Sequence, residues 1–160
     1  MSQFHILERH QVVPRSRTQV FAFFSDPRNL EAITPDFLRF RILPPVPSTL
    51  EVNSRIDYRL SLFGVPFRWR TRIAAWNPGE RFVDVQERGP YALWQHTHTF
   101  RDVDGGTRVS DRVEYALPLG VLGAAAHPLM VRRTLARIFD HRCERVAALL
   151  GGAPMSQRAA

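Results

Sequence analysis

The sequence predicts an α+β domain in which a curved antiparallel sheet wraps a long C-terminal helix. Residues 52–117 show short strand-like runs separated by turn signals, which is typical of antiparallel strands. Residues 129–150 instead show helical spacing of apolar side chains, and Gly151 and Gly152 end that segment. One helix offers too few side chains to fill a strongly curved sheet. We therefore expect an unfilled interior.

Two capped segments follow a first strand, which is predicted over residues 3–13. Ser16 and Gln19 form a capping-box pattern directly ahead of apolar residues, so a short helix is expected there. Asp26 and Pro27 give the pattern of an N-cap followed by proline at the first helical position. The chain is therefore expected to form two short helices before it returns to the sheet.

Turn signals predict the register of the sheet, because strand side chains alternate between its two faces. The chain re-enters the sheet with a strand predicted over residues 37–43. Three turns follow, at residues 63–64 (Phe-Gly), 77–80 and 104–105 (Asp-Gly). They predict these opposite pairs: Leu62 with Val65, Leu60 with Phe67, Tyr58 with Trp69, Ala75 with Phe82, Ile73 with Asp84, Thr71 with Gln86, Phe100 with Val109, His98 with Asp111, His96 with Val113 and Trp94 with Tyr115.

These registers give the sheet a dry face and a wet face, as expected of an antiparallel sheet covered on one side. The dry face collects large apolar side chains, and the wet face collects arginines and acidic residues. Five polar residues nevertheless fall on the dry face: Asp84, Gln86, His96, His98 and Asp111. A buried polar group without a partner costs about 1–3 kcal/mol. These groups must therefore meet each other, water or a ligand, and an apolar pocket with a few polar groups is the usual make-up of a ligand site.

The formal net charge of +7 does not indicate a nucleic-acid site. All 22 basic residues are arginines, and they are scattered over the predicted strands, loops and final helix. We therefore expect no nucleic-acid partner. The single cysteine, Cys143, cannot form an internal disulfide and is interpreted as a half-buried packing residue. The sequence shows no signal-peptide pattern and no apolar run approaching the roughly 18 residues of a membrane span, so the expected location is the cytoplasm.

Several motifs along the chain belong together. They are Val20-Phe21-Ala22-Phe23-Phe24, Asp26-Pro27-Arg28-Asn29-Leu30, Thr34-Pro35, Gly89-Pro90-Tyr91, Trp94-x-His96-x-His98-x-Phe100 and Asp111-x-Val113-x-Tyr115-x-Leu117-Pro118. With them the chain resembles the SRPBCC superfamily of START and Bet v 1-like helix-grip domains, which includes polyketide cyclase/dehydrase-like proteins. The resemblance covers about residues 3–150 and implies one domain, while residues 151–160 are small and polar and are expected to form a flexible tail. It implies a seven-stranded antiparallel sheet, two short helices after the first strand and a long C-terminal helix that closes a cavity.

The resemblance also implies a hydrophobic small-molecule ligand, such as a lipid, a polyketide, a quinone or another aromatic compound. The leading interpretation is reversible binding, transport or sequestration of such a molecule, without a cofactor. The residues expected to line the pocket are Tyr58, Trp69, Phe82, Asp84, Gln86, Trp94, His96, His98, Asp111 and Tyr115. The alternative is a cyclase- or dehydratase-type enzyme in which His98 is the base and Asp111 orients its ring. Tyr115, Asp84 or His96 would then assist as the acid.

The pair His96 and His98 also raises the question of a metal ion, because both side chains lie on one predicted face. Asp111 would be the third ligand. We favour a structural or ligand-contacting pair instead, in which Asp111 accepts a hydrogen bond from the His98 ring, since short motifs of this kind are weak evidence.

Residues 118–128 are either a mobile gate with glycine hinges or an inert connector. Their small apolar side chains would suit a cavity mouth that transiently touches a membrane surface or a carrier. The sequence is compatible with a monomer or a dimer.

Overall fold

Seven strands form one curved antiparallel sheet in the computed structural model, which describes residues 4–62, 64–118 and 128–152. The strands are β1 (Phe4–Val13), β2 (Arg41–Leu43), β3 (Arg55–Leu62), β4 (Val65–Asn77), β5 (Arg81–Arg88), β6 (Leu93–Val103) and β7 (Gly106–Ala116). They lie in the order β1-β7-β6-β5-β4-β3-β2, and every neighbouring pair is antiparallel. The predicted sheet is therefore confirmed.

Two α-helices and three 3-10 turns complete the described part of the chain. They are α1 (Arg17–Phe24), α2 (Pro128–Leu150) and the turns Pro27–Asn29, Glu31–Ile33 and Asp36–Leu38. The capping box at the start of α1 is confirmed: the Gln19 amide donates to Ser16 Oγ over 3.3 Å, and the Ser16 amide donates to Gln19 Oε1 over 3.2 Å. Asp26 caps the next segment as predicted, because its Oδ1 accepts the Arg28 amide over 3.0 Å. That segment forms 3-10 turns rather than an α-helix.

The strand predicted over residues 37–43 is wrong in its first half. Asp36–Leu38 form a 3-10 turn that ends at Arg39, whose amide donates to the Asp36 carbonyl and whose φ is 47°. Only Arg41–Leu43 pair with β3. The turn uses Leu38, which is 5% exposed, to cover the interior.

The observed register confirms every predicted pair except one. Ala75 lies opposite Val83, while Phe82 lies opposite Trp76. A register shift between Ile73 and Ala75 explains the difference, because an extra residue in one strand displaces all pairs on one side of it. The shift brings the Trp76 and Phe82 rings to 5.3 Å at the end of the sheet.

The inner face of the sheet packs against α2, whose buried residues recur every three or four positions. They include Val131, Leu135, Phe139, Cys143 and Val146. Cys143 is only 3% exposed, so the expectation of a half-buried residue is wrong, and burial raises the pKa of its thiol to about 11. Gln11 on β1 holds this part of the helix by donating from Nε2 to the Cys143 carbonyl over 3.1 Å.

Some predicted features fall outside the described residues. These are residues 119–127 of the suggested gate, Phe63 of one turn and the tail after residue 152. None of the described helices combines the length and the apolar character that a membrane span requires.

Candidate functional site

An interior cavity of about 160 Å³ lies between the inner face of the sheet, the 3-10 turns and α2. Apolar side chains from all these elements line it, among them Phe24, Ile33, Leu38, Leu60, Ile73 and Ile138. The strands contribute because alternate residues of β3 to β6 point to the same face. An engineered cavity of about 150 Å³ binds benzene, so this cavity has room for roughly one aromatic ring.

One wall of the cavity is a cluster of aromatic rings. The Trp69 ring lies 5.2 Å from Trp94 and 5.7 Å from Tyr91, both in edge-to-face geometry, and 6.1 Å from Tyr58. Thr71 satisfies the polar atoms of this wall, since its Oγ1 accepts from Trp69 Nε1 over 3.1 Å and lies 2.6 Å from the Tyr58 hydroxyl. Burial raises the pKa of Tyr58, so its hydroxyl stays protonated. This wall therefore offers an apolar surface to a molecule in the cavity.

The polar end of the cavity carries Asp84, His96 and His98, with Asp111 behind the two histidines, and we name these four residues the His–Asp quartet. Asp84 lies directly opposite His96, and His98 lies directly opposite Asp111. The hydrogen bonds run along the diagonals instead: His98 Nε2 is 2.9 Å from Asp84 Oδ2, and His96 Nε2 is 2.9 Å from Asp111 Oδ1. The two imidazole rings are 3.7 Å apart.

The hydrogen bond predicted from His98 to Asp111 is therefore not the one that Asp111 forms. His98 Nδ1 lies 3.1 Å from Asp111 Oδ1 but has no hydrogen-bond partner within the described ranges. The difference arises because strand side chains lean along the strand, so a residue can bond its diagonal neighbour on the next strand.

The protonation of the quartet follows from burial and from these contacts. Burial would raise the pKa of Asp111, but the hydrogen bond from His96 and the proximity of His98 hold it well below its usual range. The pKa of Asp84 is also lowered, because its bond to His98 outweighs burial. Burial and the neighbouring charge of His98 lower the pKa of His96 to about 4, whereas the two carboxylates raise the pKa of His98. The carboxylates thus favour the charged form of His98, whereas burial favours the neutral form of His96.

Arg142 on α2 adds a second cation to the polar end. Its Nη1 lies 4.0 Å from Asp111 Oδ1 and is buried without a hydrogen-bond partner among the described residues. The guanidinium also lies 5.2 Å from the centre of the Phe139 ring. The sequence prediction missed this residue. Its signal was the helical spacing, which places Arg142 on the same face of α2 as Ile138 and Phe139.

Seven of the ten predicted pocket residues line the cavity: Tyr58, Trp69, Phe82, Asp84, Trp94, His96 and His98. Three do not. Gln86 instead binds the backbone of Tyr91, with Nε2 donating to the carbonyl over 2.8 Å and Oε1 accepting the amide over 3.2 Å. Asp111 lies behind the two histidines, and Tyr115 packs between the rings of His5 and Tyr91. Tyr91, Thr71 and Arg142 line the cavity without having been predicted.

The sheet, the long helix and the enclosed space together define a helix-grip domain of the Bet v 1 and START type. The chain belongs to the family described as polyketide cyclase / dehydrase and lipid transport, whose model matches residues 13–140. The predicted membership of the SRPBCC superfamily is thereby confirmed. No curated protein matches the chain in sequence.

Solved structures share the fold at low sequence identity. The Zhui aromatase/cyclase from Streptomyces sp. R1128 aligns with a TM-score of 0.71 and 14% identity over 94% of this chain and 100% of that one. A protein from Chromobacterium violaceum aligns with a TM-score of 0.69 and 18% identity over 92% and 98% of the two chains. The major latex-like protein 151 from Panax ginseng gives a TM-score of 0.64 and 12% identity over 92% and 97%. At these identities the likeness shows the fold alone.

Proposed function

We propose that the protein reversibly binds a small hydrophobic molecule of about single-ring size, with an oxygen atom directed at Arg142 and the His–Asp quartet. The observation that carries this proposal is the cavity of about 160 Å³, whose lining is mostly apolar and includes a few polar groups, among them Arg142 and three members of the quartet. The family description includes lipid transport, and one structural neighbour is an aromatase/cyclase. Both support an apolar or aromatic ligand.

The apolar part of the ligand would lie against the wall formed by Trp69, Trp94 and Tyr91. Edge-to-face and offset contacts with aromatic rings contribute about 0.5–1.5 kcal/mol beyond the burial of area. Burial itself contributes about 25 cal/mol per Å² of apolar surface. A single ring that packs against this wall therefore gains enough from apolar burial to bind non-covalently.

The polar part of the ligand would satisfy Arg142. A buried donor without a partner costs about 1–3 kcal/mol, and an acceptor oxygen placed at Nη1 removes that cost. The two carboxylates of the quartet face the His98 ring, whose charged form they favour, and Arg142, so the polar end pairs anionic with cationic groups. A carboxylate or phenolate oxygen can then pair with the guanidinium through a charge-assisted hydrogen bond.

Filling the cavity from its own wall tests the proposal. Leu60 is 7% exposed and lines the cavity, so in Leu60→Phe the larger ring would occupy the space of the ligand. We expect the affinity for 4-methylbenzoate to fall at least about tenfold, because the ligand can no longer bury its apolar surface in the cavity. Quenching of tryptophan fluorescence measures this, because Trp69 and Trp94 both line the cavity.

The matched control is Leu7→Phe, at a position that is also 7% exposed but lies in the packed core between the sheet and α2. Overpacking there costs about 1–3 kcal/mol of stability and leaves the cavity unchanged. We expect the control to lose stability and keep its affinity. Equal affinities in the wild type and Leu60→Phe would show that the ligand binds elsewhere.

The geometry does not favour the enzyme alternative in which His98 is the base. His98 Nε2 is bonded to Asp84, and its Nδ1 faces Asp111 at 3.1 Å, so a molecule in the cavity would reach a ring nitrogen only by displacing one of these carboxylates. A base must lie within hydrogen-bond reach of the proton that it removes. Binding is therefore the function that the site supports best.

A further inference from the structure

Three side chains of the quartet present metal-ligand atoms to a common point. Asp84 Oδ2 lies 2.9 Å from His98 Nε2 and 3.7 Å from His96 Nδ1. The ligand atoms that the three residues offer all lie within 4.8 Å of one another. Bonds of about 2.0–2.2 Å from nitrogen and oxygen to a tetrahedral Zn²⁺ place neighbouring ligand atoms roughly 3.3–3.5 Å apart. The two distances from Asp84 Oδ2 bracket this value, and movement of the three side chains towards one another would complete the coordination.

Asp111 occupies the position of a supporting carboxylate behind these ligands. Its Oδ1 faces the two ring nitrogens that would not bind the metal, at 2.9 Å from His96 Nε2 and 3.1 Å from His98 Nδ1. Histidines that bind metals usually donate their other ring N–H to a carboxylate or carbonyl, which fixes the ring and its tautomer. One carboxylate here serves both rings, and the His98 Nδ1 that lacks a hydrogen bond would gain one from a small rotation of its ring.

We propose that Asp84, His96 and His98 bind one divalent transition-metal ion, such as Zn²⁺, with an open coordination position towards the cavity. The three ligands line the cavity, whereas Asp111 does not. Two histidines and one carboxylate suit Zn²⁺ or Fe²⁺ rather than Mg²⁺ or Ca²⁺, which prefer oxygen ligands. The carboxylates of Asp84 and Asp111 balance the charge of the ion, and Arg142 remains to attract an anionic oxygen to the open position.

Titration of the chelator-treated protein with Zn²⁺ alone tests this site, so the result does not depend on any organic ligand. Calorimetry should give one Zn²⁺ per chain, and the Tm of the wild type should rise with Zn²⁺ concentration, because an ion that binds only the folded state stabilises it. Asp84→Asn and His96→Gln should each lower the affinity at least about 100-fold through loss of a direct ligand. Asp111→Asn should lower it about 10- to 100-fold, as loss of a supporting carboxylate does.

The control is His10→Gln, an exposed histidine on the outer part of β1, which should leave the affinity for Zn²⁺ unchanged. The Tm measurement uses the wild type, so it tests the proposal even if a variant with a substitution in the quartet fails to fold. Absence of a stoichiometric heat together with an unchanged Tm in the wild type would overturn the proposal. Equal affinities in the wild type, Asp84→Asn and His96→Gln would also overturn it, since the ion would then bind elsewhere.

Discussion

Replacing Asp111 with alanine is expected to destabilise the protein by about 3–5 kcal/mol, because loss of one member of a buried charge cluster leaves the others uncompensated. Asp111 is 4% exposed and lies within 3.1 Å of a nitrogen of each histidine. Its removal leaves the His98 ring and the Arg142 guanidinium with a single, partly buried carboxylate, Asp84. Urea unfolding in the presence of a chelator measures the change without any contribution from a metal ion.

The control for this substitution is Asp57→Ala on the outer face of the sheet. Asp57 Oδ1 accepts from Arg70 Nε over 2.8 Å, but the side chain is 39% exposed. Exposed ion pairs contribute about 0–1 kcal/mol, so we expect a small loss of stability. Equal losses for Asp57→Ala and Asp111→Ala would contradict the picture of a buried, charge-balanced quartet.

Replacing Arg142 with glutamine is expected to weaken the binding of 4-methylbenzoate about 10- to 100-fold. A hydrogen bond to a charged group contributes about 1.5–3 kcal/mol, and each 1.4 kcal/mol corresponds to a tenfold change in Kd. Glutamine keeps a donor on a shorter side chain but removes the positive charge that pairs with the carboxylate. Calorimetric titration of both proteins with 4-methylbenzoate measures the difference.

Two comparisons separate this effect from a general change in the helix. Arg133→Gln removes the same charge from an exposed position on α2 and should leave the affinity unchanged. The neutral analogue p-xylene should bind the wild type and Arg142→Gln about equally, because it has no oxygen atom that could pair with the guanidinium. If Arg142→Gln weakens both ligands alike, the guanidinium shapes the cavity rather than recognising the oxygen.

Local signals in the sequence were sufficient for the hairpins. The Asp104-Gly105 turn determined the register of β6 and β7, and that register correctly placed His98 opposite Asp111. The helix α2 was predicted within one residue of its observed start because its apolar residues recur at helical spacing. These features depend on residues that are close along the chain, so one sequence is enough to predict them.

Features that depend on neighbours in space were predicted less well. The register shift between Ile73 and Ala75 changed the partner of Phe82. Nothing in the sequence of the turn before β5 indicates this shift. The direction in which each quartet side chain leans decided that His96, and not His98, bonds Asp111. Strand alternation states which face a side chain occupies but not which diagonal neighbour it meets.

The position of Arg142 also depends on contacts between residues that are distant along the chain. An arginine in the second half of an arginine-rich helix is expected to be solvated until the packing of α2 against the cavity is known. Helical spacing from Phe139 would have placed it on the inner face.

A crystal structure of the protein with 4-bromobenzoate measures the occupancy of the cavity most directly, because anomalous scattering locates the bromine. We expect the bromine between the aromatic wall and Ile138, with the carboxylate within hydrogen-bond distance of Arg142. Bromine found only on the outer surface at saturating concentration, with the interior unchanged, would contradict ligand binding inside the sheet.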